Sequence, residues 1–265
     1  MKYRRASPRT FAQPTMLSPE ITRDGSVLLT TFTSPARALG EVAARRRSLV
    51  ALAVATFAAL LFAAVAVPRI DYVRAAELQM GPMAGELTEF QRAEKIAQAQ
   101  KLGTIAAFAG ALSQPTLLAL GAALALFAGF RVAGAKPGFK GTFAVTSHGM
   151  LPLWLGQLLA IPALLARAPV DPSELPKLLP SSLAAFAPGR VPPPLLGFLS
   201  AVDLFAFWSL ALVVAGMART AGVSKRRAAA VTLVLWASYV AVFKVALPAM
   251  GGGGGRGPGG PGGGA

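Results

Sequence analysis

The chain has 265 residues, 54% of them apolar and only 14% charged, with a net charge of +15 and no cysteine. A soluble domain carries about 25% charged residues, so this composition describes a multi-span membrane protein, and Lys and Arg gathered in short cytoplasmic loops account for the excess charge without nucleic acid. Disulfides, thiolate catalysis and Cys-ligated metals are excluded.

Residues 1–47 are polar, with Pro8, Pro14, Pro19 and Pro35 among Ser, Thr and Arg, and end in Arg45-Arg46-Arg47. No helical or strand period runs through them, which predicts a disordered basic cytoplasmic arm. A cleaved signal peptide is not expected, because about 47 residues precede the first apolar run.

Five apolar stretches follow, at about 49–67, 115–133, 143–166, 195–218 and 228–248. Each is near the roughly 20 residues that cross a hydrocarbon core, and lipid leaves helices as the expected form. The second lies within 103–133, where Ser113-Gln114-Pro115 suggests that only 115–133 is intramembrane. The segments between the spans alternate in charge. Those holding Arg131, Lys136 and Lys140, and Arg219, Lys225, Arg226 and Arg227, contain no acid, whereas 69–102 and 167–190 are mixed. The positive-inside rule then places the N-terminus in the cytoplasm and the C-terminus outside. The expected fold is all-α: a polytopic bundle of five transmembrane helices.

In the first outer loop, residues 85–103 read as an aqueous extension of the second span, or as an amphipathic helix at the interface. The second outer loop is too rich in proline to form one long helix. The tail over 249–265 is glycine-rich and expected to be disordered. It lacks the Gly-Lys-Ser/Thr ending of a phosphate loop.

Asp203 is the only acid inside a long apolar stretch. A charge at bilayer depth costs about 3 kcal/mol on insertion scales and normally has a partner. At about 1.5 Å per residue, Asp203 and Lys244 each lie roughly 24 Å from the cytoplasmic face and Gln157 roughly 22 Å. An intramembrane polar cluster follows, with Asp203 paired to Lys244 and assisted by Gln157. In the other reading Lys244 snorkels to the headgroups, leaving Asp203 protonated or in a small wet cavity. His148, the single histidine, lies about 15 Å shallower than Asp203 and reads as a packed or interfacial residue. With no cysteine and one histidine, no metal site is expected. No paired carboxylates or nucleophile elbow appear, so neither catalytic residues nor a cofactor is expected.

The last third carries a family pattern: "LPSSLAAF", then "LLGFLSAVDLFAFWSLALVVAGMARTAGVSKRRAAAVTLVLW". It resembles the bacterial branch of the Ypt-interacting-protein (Yip) domain family. The matching positions are Asp203, Leu204, Phe205, Trp208 and Gly216, followed by Lys225, Arg226, Arg227 and the alanines at 228–230. Upstream, "KGTFAVTSHGMLPLWLGQLLAIPALL" is similar to the family's third span. The resemblance covers about 48–248. It implies a five-span bundle with a cytoplasmic N-terminus, and no catalytic residues. The trafficking roles of eukaryotic relatives attach to a different arm and are not carried over to 1–47.

The functional expectation is a non-catalytic protein of the bacterial inner membrane, acting as a membrane-organising scaffold or binding partner proteins, with the lipid bilayer and other membrane proteins or itself as expected partners and no nucleic acid. The alternative is a small transporter or channel with a polar path near Gln157, Asp203 and Lys244.

Overall fold

The computed structural model describes residues 39, 41–42, 48–81, 85, 87–167, 169–189 and 191–251. The arm expected over 1–47 and the tail over 249–265 lie outside the described residues, apart from Leu39, Glu41, Val42 and 249–251. Among the described residues the chain is all-α, with two isolated β-bridges and no strand. Four helical stretches are long and apolar enough to cross a membrane, at Leu49–Arg69, Glu89–Val132, Phe139–Leu165 and Lys225–Met250, and Leu204–Thr220 is a shorter apolar helix.

Helix α1, Leu49–Ala66, buries Ala51, Ala55, Ala58, Ala59, Ala63 and Ala66. Spacings of three, four and one put these methyls on one face. With no bulk to hold neighbours away, that face packs against the helices Glu89–Val132 and Leu151–Leu165. Helix α2, Tyr72–Met80, starts where the Asp71 carboxylate accepts from Arg74 N at 2.9 Å.

Helix α3 runs unbroken from Glu89 to Val132. A Thr88/Gln91 capping box fixes its start. Its 44 residues rise about 66 Å, more than twice the roughly 30 Å of a hydrocarbon core. Residues 89–102 therefore continue the apolar part as one rod. Pro115 does not stop the helix, although the sequence suggested a boundary there. Proline removes one N–H donor, and the ring is buried where neighbouring helices hold the rod together.

The third apolar stretch is two helices, α4, Phe139–Gly149, and α5, Leu151–Leu165, divided at Met150. Pro152, at the start of α5, has no N–H to continue the α4 ladder. The buried polar run of α4 bonds its own backbone: the Thr142, Thr146 and Ser147 hydroxyls donate to carbonyls four residues back. His148 Nδ1 lies 3.0 Å from the Ala144 carbonyl in the same pattern. The three hydroxyls are thus satisfied within their own helix.

The fourth stretch is also two helices, α6, Pro193–Ala201, and α7, Leu204–Thr220. The last comprises α8, Lys225–Tyr239, a π-helical segment, Val240–Ala246, and α9, Leu247–Gly251. Helix α4 packs against α3 and α7, and α7 also contacts α5 and α8.

Apolar clusters stack along the bundle. One holds Leu126, Phe130, Val145, Val213 and Met217, a second Ala55, Ala58, Ala59 and Trp154, and a third Ala66, Ala160, Leu164 and Val170. Arg227 donates to the Ala133 carbonyl, so both acid-free segments meet at one end, here the basic end. At the other end Val170 N donates to Arg69 O at 2.7 Å and Asp71 N to Val170 O at 2.9 Å, which joins the segment after α1 to the proline-rich loop.

Candidate functional site

Asp203 begins a helix rather than interrupting one. Its backbone is extended, and one carboxylate oxygen accepts from Phe205 N at 2.8 Å and Ala206 N at 3.1 Å. These N–H groups have no partner inside α7, and the positive end of the helix dipole faces the same carboxylate. The other oxygen accepts from Ser181 Oγ at 2.6 Å. Two backbone bonds flank the contact, Leu204 N to Ser181 O at 2.9 Å and Leu183 N to Val202 O at 3.1 Å. The proline-rich loop is thus bound to the break between α6 and α7. The single helix expected over 195–218 divides because Asp203 satisfies two end donors there and none in mid-helix.

Three hydrogen bonds therefore occupy Asp203, and none goes to Lys244. Ion pairs join Arg74 with Glu77 and with Asp171, and Lys177 with Glu174. Lys244 lies in the π-helical segment, where its backbone carbonyl meets Gly197 of α6 so closely that a Cβ at 197 would overlap it. Gln157 points elsewhere: it lines a cleft with α1 and α3, and its amide oxygen is buried without a hydrogen-bond partner. Gln157, Asp203 and Lys244 are not joined by hydrogen bonds to one another.

The family-pattern positions divide their work. Phe205 packs its ring over Gly156 of α5, 2.8 Å from where a Cβ would stand. Leu204 is 65% exposed, and Trp208 is partly buried on α7. Gly216 lets α7 approach α4, since a Cβ there would overlap Val145 and stand 3.3 Å from Leu39 Cβ. Leu39 and Val42, within the stretch read as arm, are fully buried.

The cleft has a volume of about 440 Å³. Its walls are mainly the small residues of α1 and α3, such as Ala59, Ala63, Ala107 and Gly110. Gln114 and Gln157 supply side-chain amides. Tyr72 closes its other end against Gly103, 3.1 Å from the Cβ position.

Among the described residues no three His, Asp or Glu side chains gather to hold a metal. The polar groups here cap helices, bond loops and line one cleft. Sequence reasoning found Asp203 and missed Ser181, although both lie in the quoted family pattern. It also missed the close approach at Gly197 and the cleft at Gly110. Gly103, Gly110, Gln114 and their alanines recur at helical spacing on α3, and that recurrence was the available signal.

A family model described as Yip1 domain matches residues 29–246. No curated protein and no solved structure gives a match.

Proposed function

From its membership of the Yip1 domain family, we propose that this multi-pass membrane protein works without catalysis, as a scaffold that organises membrane or binds partner proteins. We place it in a bacterial inner membrane with five crossings, the N-terminus in the cytoplasm and the C-terminus outside, because both acid-free basic segments lie at one end of the bundle. The observation that carries the scaffold reading is the use of Asp203. Its carboxylate caps α7 and holds Ser181, which is structural work. Ser209, inside the same helix, is buried, so its position reports whether water reaches the interior.

The test uses the natural absence of cysteine. Ser209→Cys introduces one thiol of nearly the same size. In native membranes a packed scaffold leaves it unreactive toward a charged thiol reagent until the protein is unfolded in detergent. Rapid labelling in the folded protein supports the transporter or channel instead.

A further inference from the structure

We propose that the basic end of the bundle is a binding surface for acidic phospholipids, with the cations of segments 131–140 and 219–227 taking the headgroup phosphates of the adjoining leaflet. One segment carries Arg131, Lys136 and Lys140, the other Arg219, Lys225, Arg226 and Arg227, and neither holds an acid. All of these residues are exposed. The two segments meet where Arg227 donates to the Ala133 carbonyl. Asp71, Asp171 and Asp203 stand at the opposite end, where they bond the proline-rich loop or the segment after α1. Among the described acids only Glu41, two residues after the Leu39 that packs beside Gly216, belongs to the basic end, and it already has a contact.

The placement of these cations runs against the helix dipoles. Lys225, Arg226 and Arg227 fill the first turn of α8, which has no acid. The dipole is positive there and disfavours further positive charge. Lys140 stands likewise in the first turn of α4, whose start has no side-chain cap. Arg131 and Arg219 lie in the last turns of α3 and α7, where the dipole favours them. Arg227 is relieved by the carbonyl at the end of α3. The two segments supply no carboxylate to offset Lys140, Lys225 and Arg226, so the compensating anion comes from outside them.

Depth and neighbours select a lipid over a soluble polyanion. The apolar stretches able to cross a membrane begin at Phe139 and Lys225. Lys140, Lys225 and Arg226 therefore stand at or next to the first residue of a span, which is headgroup level. The connecting loops, 133–138 and 221–224, are short and project nothing that could wrap a nucleic acid. The cations also border directly on apolar rings. The Arg131 guanidinium lies 4.7 Å from the Phe127 centroid. Phe127 meets Phe139 edge to face at 5.7 Å, and Phe139 stacks on Phe143 at 6.3 Å. These rings are half-buried. A ligand that joins an anionic group to hydrocarbon matches both parts of this surface. Clusters of Lys and Arg beside a span are drawn to the negative surface of an acidic leaflet.

The experiment is electron spin resonance of the full chain in phosphatidylcholine bilayers, with spin-labelled phosphatidylglycerol or phosphatidylcholine as the probe. The motionally restricted fraction should favour phosphatidylglycerol by about threefold or more at low salt, and the preference should shrink as salt screens it. Neutralising Lys136→Gln with Lys140→Gln, or Lys225→Gln with Arg226→Gln, should lower the preference, and all four together should abolish it. Arg131 and Arg227 stay in place because they touch Phe127 and Ala133. Lys136→Arg with Lys140→Arg keeps the charge and should keep the preference. Arg92→Gln, Lys95→Gln and Lys101→Gln, at exposed positions toward the other end of α3, should leave it unchanged. Circular dichroism of each variant must match wild type, and the two double variants carry the test should the fourfold one fold poorly. A preference that survives neutralisation, or falls equally with the α3 set, overturns the proposal. So does its loss to inorganic phosphate at matched ionic strength, which would assign the surface to a soluble anion.

Discussion

Ser181 donates its hydroxyl to the Asp203 carboxylate at 2.6 Å across 22 residues of sequence. The same carboxylate caps the first turn of α7, so one side chain fixes both where a helix starts and where the proline-rich loop lies. Charge-assisted bonds of this kind are about twice as strong as neutral ones.

Removing the cap should cost stability in a graded way. Asp203→Ala loses both roles and should destabilise by about 2 kcal/mol, within the range for a lost cap plus a charged hydrogen bond. Asp203→Asn keeps an acceptor for the helix end and should cost less. Unfolding of the purified protein in mixed detergent micelles measures both. Equal losses for Asn and Ala would contradict the capping role.

The Lys244 side chain should be energetically separate from Asp203. Lys244→Met and Asp203→Asn should add within about 0.5 kcal/mol in a double-mutant cycle. A coupling well above that value would restore the ion pair suggested by depth alone.

Two glycines should respond oppositely to the same added methyl. Gly216→Ala drives a Cβ into Val145 and should destabilise by about 1–3 kcal/mol, the usual cost of overpacking. Gly110→Ala enters open space on a helix and should stabilise by up to about 1 kcal/mol through helix propensity. Thermal melting of the two variants side by side reads the difference in sign.

Gly197→Ala places its methyl against the Lys244 backbone carbonyl, which no rotamer change can relieve. Helix α6 should then lift from the π-helical segment. Faster amide exchange across 240–246, with α1 and α3 unchanged, is the expected result. An unchanged exchange pattern would show that the contact is not what holds α6.

The apolar runs and acid-free segments were legible in the sequence because hydropathy and loop charge report the bilayer directly. Helix ends were less so. Pro115 and Pro152 are the same residue type, yet α3 passes through the first while α4 and α5 divide at the second. The outcome depends on packing from other helices. Asp203 was conspicuous as a charge in an apolar run, and equal rise per residue suggested Lys244 as its partner. That arithmetic assumed a continuous fourth helix. The partner is Ser181, brought in by a loop whose course the sequence pattern does not encode. Gly197 and Lys244 meet through backbone atoms, so side-chain chemistry gave no notice of the contact.

Single-cysteine labelling in intact cells tests the membrane arrangement most directly. Cysteines at Lys136 and Arg226 should react with an impermeant thiol reagent only after the membrane is opened, and cysteines at Gly85 and Gly189 should react at once. Reaction of Lys136→Cys from outside, or protection of Gly189→Cys, would contradict the five-crossing bundle.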